Sequence, residues 1–212
     1  MKKVLTACGF LISSSAMATG FYAGGQLGVN SVKIDNSYTL SITNPHAFTD
    51  KSKDSIGATG ISYGIYGGYR FDFNNFFVAS ELDYNANTAL AKYTVLLAAM
   101  AISQAPSLGF HFLAGLPIGK SSEVYGRIGY TETTFKNNLK TDHSFCSSGK
   151  SKGTILGVGA QHHLGDNISI RFDYKYTMYQ AMTAANSGPN TTAEFSVKPE
   201  SHSFTVGAQY AF

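Results

Sequence analysis

Histidine and serine are neighbours at two places in the sequence, and this pair of residue types can perform nucleophilic chemistry. A serine hydroxyl becomes a nucleophile when an imidazole accepts its proton. The adjacent clusters are His143-Ser144 and Ser201-His202-Ser203, and two neighbouring imidazoles that could hold a metal ion are His162-His163. Successive side chains of a strand point to opposite faces, so neighbours on a strand cannot act together. The sequence therefore predicts no catalytic residues, no metal site, no cofactor and no enzyme.

Six charged side chains lie well within segments that alternate between apolar and polar residues, away from their ends, and three are acidic and three basic. Buried charges need partners, so a balanced set predicts a network of salt bridges inside the fold. The members of this predicted network are Glu81, Asp83, Arg127, Arg171, Asp173 and Lys175, with His111. Further polar residues that could complete its hydrogen bonds are Gln26, Gln161, Gln209 and Tyr66.

The segments that carry these charges alternate with a period of two, which is typical of β-strands. In ISIRFDYKYTMY, residues 168–179, apolar or aromatic side chains alternate with polar or charged ones. The same pattern recurs in residues 21–30, 61–71, 77–85, 108–116, 124–131, 156–164 and 203–212. Since a strand of about ten residues crosses a bilayer, the pattern predicts an all-β fold, an eight-stranded antiparallel up-and-down transmembrane barrel.

The two faces of the predicted strands differ in bulk. One face carries large apolar and aromatic side chains, whereas the other carries most of the glycines and the charges. An eight-stranded barrel has an interior just wide enough for side chains to fill, so we expect the glycine face inside and the bulky face against lipid. A soluble barrel of the lipocalin type has the same period, but a charged fraction of 14% is low for a water-exposed exterior.

The first residues have the parts of a secretory signal peptide, which we predict over 1–18, with the barrel domain over 19–212. The alternative is lipid attachment at Cys8, but the apolar run that precedes Cys8 is too short for the core of a signal peptide. Cleavage would leave only Cys146, so no intrachain disulfide is expected. The balance of 16 basic and 13 acidic residues gives no electrostatic footprint for nucleic acid.

Tight turns alternate with long connections along the chain. The turns are residues 72–75, 119–122 and 165–167, and the long connections are about 31–58, 87–107, 135–153 and 180–202. Turns at one end and long loops at the other are typical of outer-membrane barrels, whose long loops are extracellular. The second long connection contains an apolar run, residues 93–102, which forms a contact surface, extends the strands above the membrane or folds over the barrel mouth.

Lysines are concentrated in the third long connection. They could attract lipopolysaccharide phosphates or acidic host glycans, or simply be solvated. These candidate contact residues are Lys136, Lys140, Lys150 and Lys152.

Aromatic residues near the predicted strand ends are expected at the two membrane interfaces. They are Phe21, Phe71, Phe76 and Phe212 at the turn end, and Tyr63, Tyr84, Tyr130 and Tyr176 at the other.

The last predicted strand ends in Phe212, with alternate aromatic and apolar residues before it in SFTVGAQYAF. It resembles the terminal signature of outer-membrane proteins that the barrel assembly machinery reads. Together with FYAGGQLGV after the signal, it makes the chain similar to the OmpA-type and opacity-type small barrels of Gram-negative bacteria, a porin-like family. The resemblance extends over the whole mature chain and implies a monomer in the outer-membrane lipid bilayer, in contact with lipopolysaccharide.

The function that we expect lies in the extracellular loops, because irregular loops on a rigid scaffold carry binding sites. Contact with host surface molecules, as in adhesion, is the leading hypothesis. The alternative is a narrow pore or a passive barrel that stabilises the envelope. An eight-stranded interior leaves little room for a solute, so the charge network is expected to fill the lumen rather than to gate it.

Overall fold

The structure is a computed structural model and describes residues 20–42, 48–95, 98–139, 149–188 and 191–212. The predicted signal peptide, Lys140 and Cys146 lie outside these ranges. The strands are β1 (Gly20–Ile42), β2 (Phe48–Asp72), β3 (Phe77–Asn87), β4 (Leu90–Val95), β5 (Ala98–Gln104), β6 (Ser107–Ile118), β7 (Ser122–Leu139), β8 (Gly149–His163), β9 (Ile168–Tyr179), β10 (Met182–Gly188) and β11 (Thr191–Ala211). Among the described residues, no helix is long and apolar enough to cross a bilayer.

Eight of the strands close into an antiparallel barrel in the order β1, β2, β3, β6, β7, β8, β9 and β11, with β11 pairing β1 again. Val29 pairs with Ile61 on one side and with Phe204 on the other, which shows that the ladder is continuous across the first and last strands. Closure satisfies the backbone groups that an open sheet would leave unpaired at its edges. The predicted eight-stranded fold is therefore confirmed.

The other three strands continue barrel strands beyond short interruptions. β4 follows β3 after residues 88–89, β5 precedes β6 across residues 105–106, and β10 follows β9 after residues 180–181. β5 pairs with β7, as β6 does, and β10 pairs with β11, as β9 does. These extensions therefore continue the hydrogen-bonded pairing of the barrel strands. Of the three alternatives for the apolar run at 93–102, the structure selects extension of the strands, since β4 and β5 pair as a hairpin.

The expectation of long irregular loops is wrong for much of their length. β1 and β2 have 23 and 25 residues and stay paired up to Ile42 and Phe48, so the predicted connection 31–58 is mostly strand. β7, β8 and β11 likewise extend into the predicted third and fourth connections. The reason is that the apolar residues move there from the outward to the inward positions, so the alternation continues but no longer has the apolar outer face of a membrane strand.

The distribution of polar and apolar residues reverses where the strands leave the membrane. On the outer face of β1, Leu27 and Val29 are more than half exposed. Lys33, which lies four residues after Val29 on the same face, is charged. On the inner face Val32 and Ile34 are 5% and 2% exposed. They form a cluster of buried residues with Ala89, against which Ile56, Ala58 and Val197 pack. The lipid-facing band thus ends near Val29, and beyond it the wall has the pattern of a soluble sheet, with water outside.

The turns at the opposite end are short, as predicted. They comprise residues 73–76, 119–121 and 164–167. Gly119, between β6 and β7, has a φ of 73°, a left-handed conformation that glycine adopts without a steric cost. These turns define the turn end of the barrel, and the extensions define the hairpin end.

The interior leaves no space for extra atoms at several glycines, and Gly159 is one of them. A Cβ atom at Gly159 would overlap the ring of Tyr125, which is 4% exposed. We expect Gly159→Ala to lower the free energy of unfolding by about 1–3 kcal/mol, the usual effect of overpacking a filled interior. Urea unfolding from lipid vesicles, followed by the gel mobility of the folded barrel, measures this change.

The matched control is Gly126→Ala, which faces lipid and has no atom within 4 Å of the added Cβ. This variant should be neutral or slightly more stable, because alanine restricts the unfolded chain. Equal effects of the two substitutions would contradict a packed interior.

Candidate functional site: the barrel lumen

Two arginines and two carboxylates occupy the centre of the lumen. Arg171 Nη1 lies 2.7 Å from Glu81 Oε2, and Arg127 Nη2 lies 2.9 Å from Asp173 Oδ1. Contacts of 3.4 Å also join Arg127 to Glu81 and Arg171 to Asp173. All four side chains are at most 4% exposed. We call these four residues the central ring, in which each charge is adjacent to charges of the opposite sign.

Tyrosines from two strands complete the hydrogen bonds of the central ring. The Tyr22 hydroxyl donates to Glu81 Oε2 at 3.0 Å, and the Tyr125 hydroxyl donates to Asp173 Oδ1 at 2.7 Å. Arg171 Nε in turn donates to the Tyr125 oxygen at 3.1 Å. Charge-assisted hydrogen bonds of this kind are the strong ones in a low-dielectric interior. The ring is therefore held by the barrel wall and not by the ion pairs alone.

Arg171 is the most enclosed member of the ring. Its Nη1 also donates to Gln209 Oε1 at 3.1 Å, and its guanidinium lies 4.3 Å from the centroid of the Tyr66 ring, a cation–π distance. The sequence places Gln209 and Tyr66 on the inward face but contains no signal for their contact with Arg171. Gln209 reaches Arg171 from β11, which pairs directly with β9, whereas Tyr66 on β2 reaches it only because β11 also closes onto β1.

A second group lies toward the hairpin end. Asp83 Oδ2 is 3.0 Å from His111 Nε2 and 3.4 Å from Lys175 Nζ. Asp83, His111 and Lys175 are 3%, 0% and 6% exposed. The structure therefore brings all seven residues of the predicted network into the lumen, in two groups of four and three.

A third group lies at the turn end, and the sequence does not predict it. Arg70 donates to both oxygens of Glu123 at 2.6 Å, and to Asp72 at 2.5 Å. Glu123 Oε1 is also 3.2 Å from His163 Nε2, and the Ser169 hydroxyl lies 2.9 Å from His163 Nδ1. Alternation does place these side chains on the inward face. Arg70, His163 and Ser169 belong to the alternating segments, but their carboxylate partners Glu123 and Asp72 each lie one residue beyond a segment, so the sequence does not reveal the group.

Two cavities lie on either side of the central ring. The cavity at the turn end, which we call the vestibule, has a volume of about 530 Å³ and is lined by residues such as Arg70, Glu123 and Ser169. The cavity toward the hairpin end measures about 40 Å³, and Lys175 lines it. On β9, Arg171 and Asp173 lie between these two levels and line neither cavity. The central ring therefore separates the two spaces.

The predicted interfacial aromatics face outward at the two limits of the lipid-facing band. Phe21 and Phe212 are 66% and 77% exposed at the turn end, and Phe71 and Phe76 lie beside the first turn. Tyr84 and Tyr176 lie near the hairpin ends of β3 and β9, whereas Tyr63 and Tyr130 lie within the longer β2 and β7, near the limit of the lipid-facing band. Tyr176 stacks on His202 with ring centroids 4.8 Å apart. These positions suit an anchoring role, because amphipathic rings prefer the headgroup region.

The candidate contact lysines lie on strands where the structure describes them, which corrects their predicted placement in a loop. Lys136 belongs to β7, and Lys150 and Lys152 belong to β8. Lys150 is exposed, and its Nζ lies 3.1 Å from Glu132 Oε1 across the ladder. The lysines on β8 point outward beyond the lipid-facing band, since their strand partners there are also polar.

Removal of Arg171 should have a large effect on stability. In Arg171→Met, Glu81 loses its closest cation, and the buried network keeps one negative charge that no positive charge neutralises. We expect the free energy of unfolding to fall by about 3–5 kcal/mol, as for other buried pairs that lose one partner. Lys150→Met is the control, because it breaks an exposed pair and should leave stability unchanged. Equal losses in urea unfolding would show that the central ring does not hold the barrel together.

Comparison with known proteins agrees with this architecture. A family described as outer membrane protein beta-barrel domain matches residues 4–212. The outer membrane protein OprG from Pseudomonas aeruginosa is 18% identical, with 91% of this chain and 96% of its own covered and a TM-score of 0.53. The outer membrane protease OmpT from Escherichia coli is 12% identical, with 94% and 100% covered and a TM-score of 0.51.

Identities this low establish a common fold and nothing more about these two proteins. No curated protein is significantly similar to the chain in sequence. The family match, however, extends over nearly every residue, including all of the barrel strands. The chain therefore belongs to the outer membrane protein β-barrel domain family, and it is a protein of the bacterial outer membrane.

Proposed function

We propose that this protein is a closed barrel that holds β-hairpins outside the cell, where they contact external molecules as an adhesin does. The observation that carries the proposal is the length of β1 and β2, which stay paired beyond Val29 as far as Ile42 and Phe48. At about 3.3 Å per residue, this extension is ~40 Å long, far more than a connection between two strands requires. The hairpin end is then extracellular, and the turn end faces the periplasm.

The surface of the extension supports a position in water. Its outward residues include Lys33, Asp35 and Lys51, whereas its inward residues include Val32 and Ile34. A sheet of this composition is stable outside a membrane, because its apolar face is covered and its polar face is hydrated. A paired hairpin also presents its side chains at fixed spacing, which lowers the entropic cost of binding a partner.

The contacts with the membrane follow from the same geometry. Lys150 and Lys152 point outward just beyond the lipid-facing band, at the height where lipopolysaccharide phosphates lie, so attraction to those phosphates is part of the proposal. The outward row of β11 is followed by the exposed Phe212, which suits recognition by the barrel assembly machinery. The barrel is proposed to be a monomer, since closure leaves no free strand edge within the band.

The alternative function, a narrow pore, is opposed by the central ring. We expect the wild-type protein to give no stepwise currents in planar lipid bilayers, because Arg127 and Glu81 lie where a solute would pass. Lys150→Ala, which changes only the outer surface, should behave in the same way. Stepwise currents in the wild type that disappear in Arg127→Ala would overturn this view and favour the pore.

The adhesin proposal is tested by shortening the first hairpin. Ile34 pairs with Ile56, so residues 35–55 can be replaced by an Asn-Gly turn, which closes two paired strands. We expect the shortened barrel to fold in the outer membrane and bacterial attachment to host cells or matrix to fall to the level of cells without the protein. Lys120→Ser, in the turn at the other end, is the control and should attach normally.

Trypsin treatment of intact cells tests the orientation separately. Cleavage after Lys51 or Lys53 with Lys120 spared is the expected result, because only the hairpin end should be accessible from outside. The reverse pattern would contradict the orientation, and normal attachment by the shortened barrel would contradict the role of the hairpin.

A further inference from the structure

Ser169, His163 and Glu123 form a connected series in the vestibule. The Ser169 hydroxyl lies 2.9 Å from His163 Nδ1, and His163 Nε2 lies 3.2 Å from Glu123 Oε1. His163 and Ser169 are opposite each other in the register of β8 and β9, on either side of the turn at 164–167. A search along the sequence for adjacent histidine and serine residues misses this pair, because the turn brings together residues six positions apart.

The direction of the hydrogen bonds follows from the chemistry of the three groups. An ionised carboxylate can only accept, so the neutral imidazole must carry its proton on Nε2, facing Glu123. Nδ1 then has a free lone pair and accepts the hydroxyl proton of Ser169. Arg70 donates to both Glu123 oxygens and keeps the carboxylate ionised and fixed in position. This is the arrangement of nucleophile, general base and orienting acid that acyl transfer requires.

The vestibule also contains a donor for a developing oxyanion. Gln161 is 5% exposed, and its Nε2 has no hydrogen-bond partner among the described residues. It lines the same cavity as Ser169 and points to the same face of β8 as His163, two residues away. A buried amide group without a hydrogen-bond partner lowers the stability of a protein. A substrate oxygen that accepts a hydrogen bond from Gln161 Nε2 would give this group a partner. The cavity of about 530 Å³ has room for a small ester.

We propose that the vestibule is a hydrolytic site for carboxylic esters. Ser169 Oγ attacks the ester carbonyl carbon while its proton passes to His163 Nδ1, and Gln161 Nε2 donates to the oxyanion. The bond to the alcohol oxygen breaks, and that oxygen takes the proton from His163. Water then attacks the acyl-serine, gives one proton through His163 to Ser169, and releases the acid. The net reaction consumes one ester and one water and yields one acid and one alcohol.

The chain contains a matched pair that lacks the orienting acid. The Ser122 hydroxyl lies 2.9 Å from His162 Nδ1 across β7 and β8, on the outer face of the barrel. Among the described residues no carboxylate lies within ion-pair distance of His162, so nothing selects the tautomer that would accept the Ser122 proton. Ser122 is therefore a control that shows how reactive a serine is when it contacts a histidine but has no orienting carboxylate and no vestibule beside it.

Active-site labelling tests the nucleophile directly. The folded full chain in detergent micelles is treated with a fluorophosphonate, and the modified residue is located by mass spectrometry. We expect labelling at Ser169 at least about tenfold above Ser122, and loss of this labelling in His163→Gln, since a general base contributes 10²–10⁴-fold. Gel mobility verifies that the variant is folded. Equal labelling of the two serines, or labelling of Ser169 that is unchanged in folded His163→Gln, would overturn the proposal.

Turnover of p-nitrophenyl acetate tests catalysis and the positioning role of Glu123. Ser169→Ala should reduce hydrolysis to the background rate, whereas Ser122→Ala should leave it unchanged. In Glu123→Gln we expect a lower kcat with a KM close to that of the wild type, because the imidazole loses the carboxylate that selects its tautomer while the cavity that binds the ester is unchanged. The other charged groups that line the vestibule, Arg70, Asp72 and Asp166, are unchanged in this variant. Hydrolysis that persists in Ser169→Ala, or a kcat that is unchanged in Glu123→Gln, would contradict the site.

Discussion

An eight-stranded barrel has an interior that side chains alone can fill, and every other feature of this protein depends on that limit. A charge placed there loses its water, so it must find an opposite charge within a few ångströms. The central ring meets this requirement with Arg171 against Glu81 and Arg127 against Asp173. The same limit requires glycine wherever a tyrosine approaches the wall, as at Gly159 beside Tyr125. Charge balance and small residues are thus two consequences of one geometric constraint.

The filled centre also determines where function can reside. A solute would have to displace the central ring, so the lumen serves as a rigid core, and activity is left to the two ends. At the hairpin end, the wall continues beyond the lipid with its apolar side turned inward, which suits contact with external molecules. At the turn end the lumen widens into the vestibule, where Ser169 and His163 lie beside an unpartnered amide. The two proposals concern opposite ends of the barrel and are tested by independent experiments.

Most of the barrel could be predicted because alternation is a local property. Inward and outward positions and the seven residues of the predicted network follow from a period of two within each strand, and the tight turns follow from their Gly, Asn, Asp and Ser residues. The length of β1 and β2 could not be predicted in this way, since the apolar residues move from the outward to the inward positions beyond Val29 and the pattern no longer matches that of a membrane strand. The pairing of the charges could not be predicted from the sequence either, because Glu81 and Arg171 are far apart in the chain and meet only across the lumen.

The sequence by itself determined which face of each strand is inside, because bulk, glycine and charge are separated at every second residue. It also determined that the six charges of the predicted network cancel, since three of them are acidic and three are basic. Only the tertiary structure decided which charges pair, how far the hairpins extend, and that Ser169 lies against His163 and Glu123. These features depend on the register between strands and on the closure of β11 onto β1, which are properties of the whole sheet and leave no trace in any single strand.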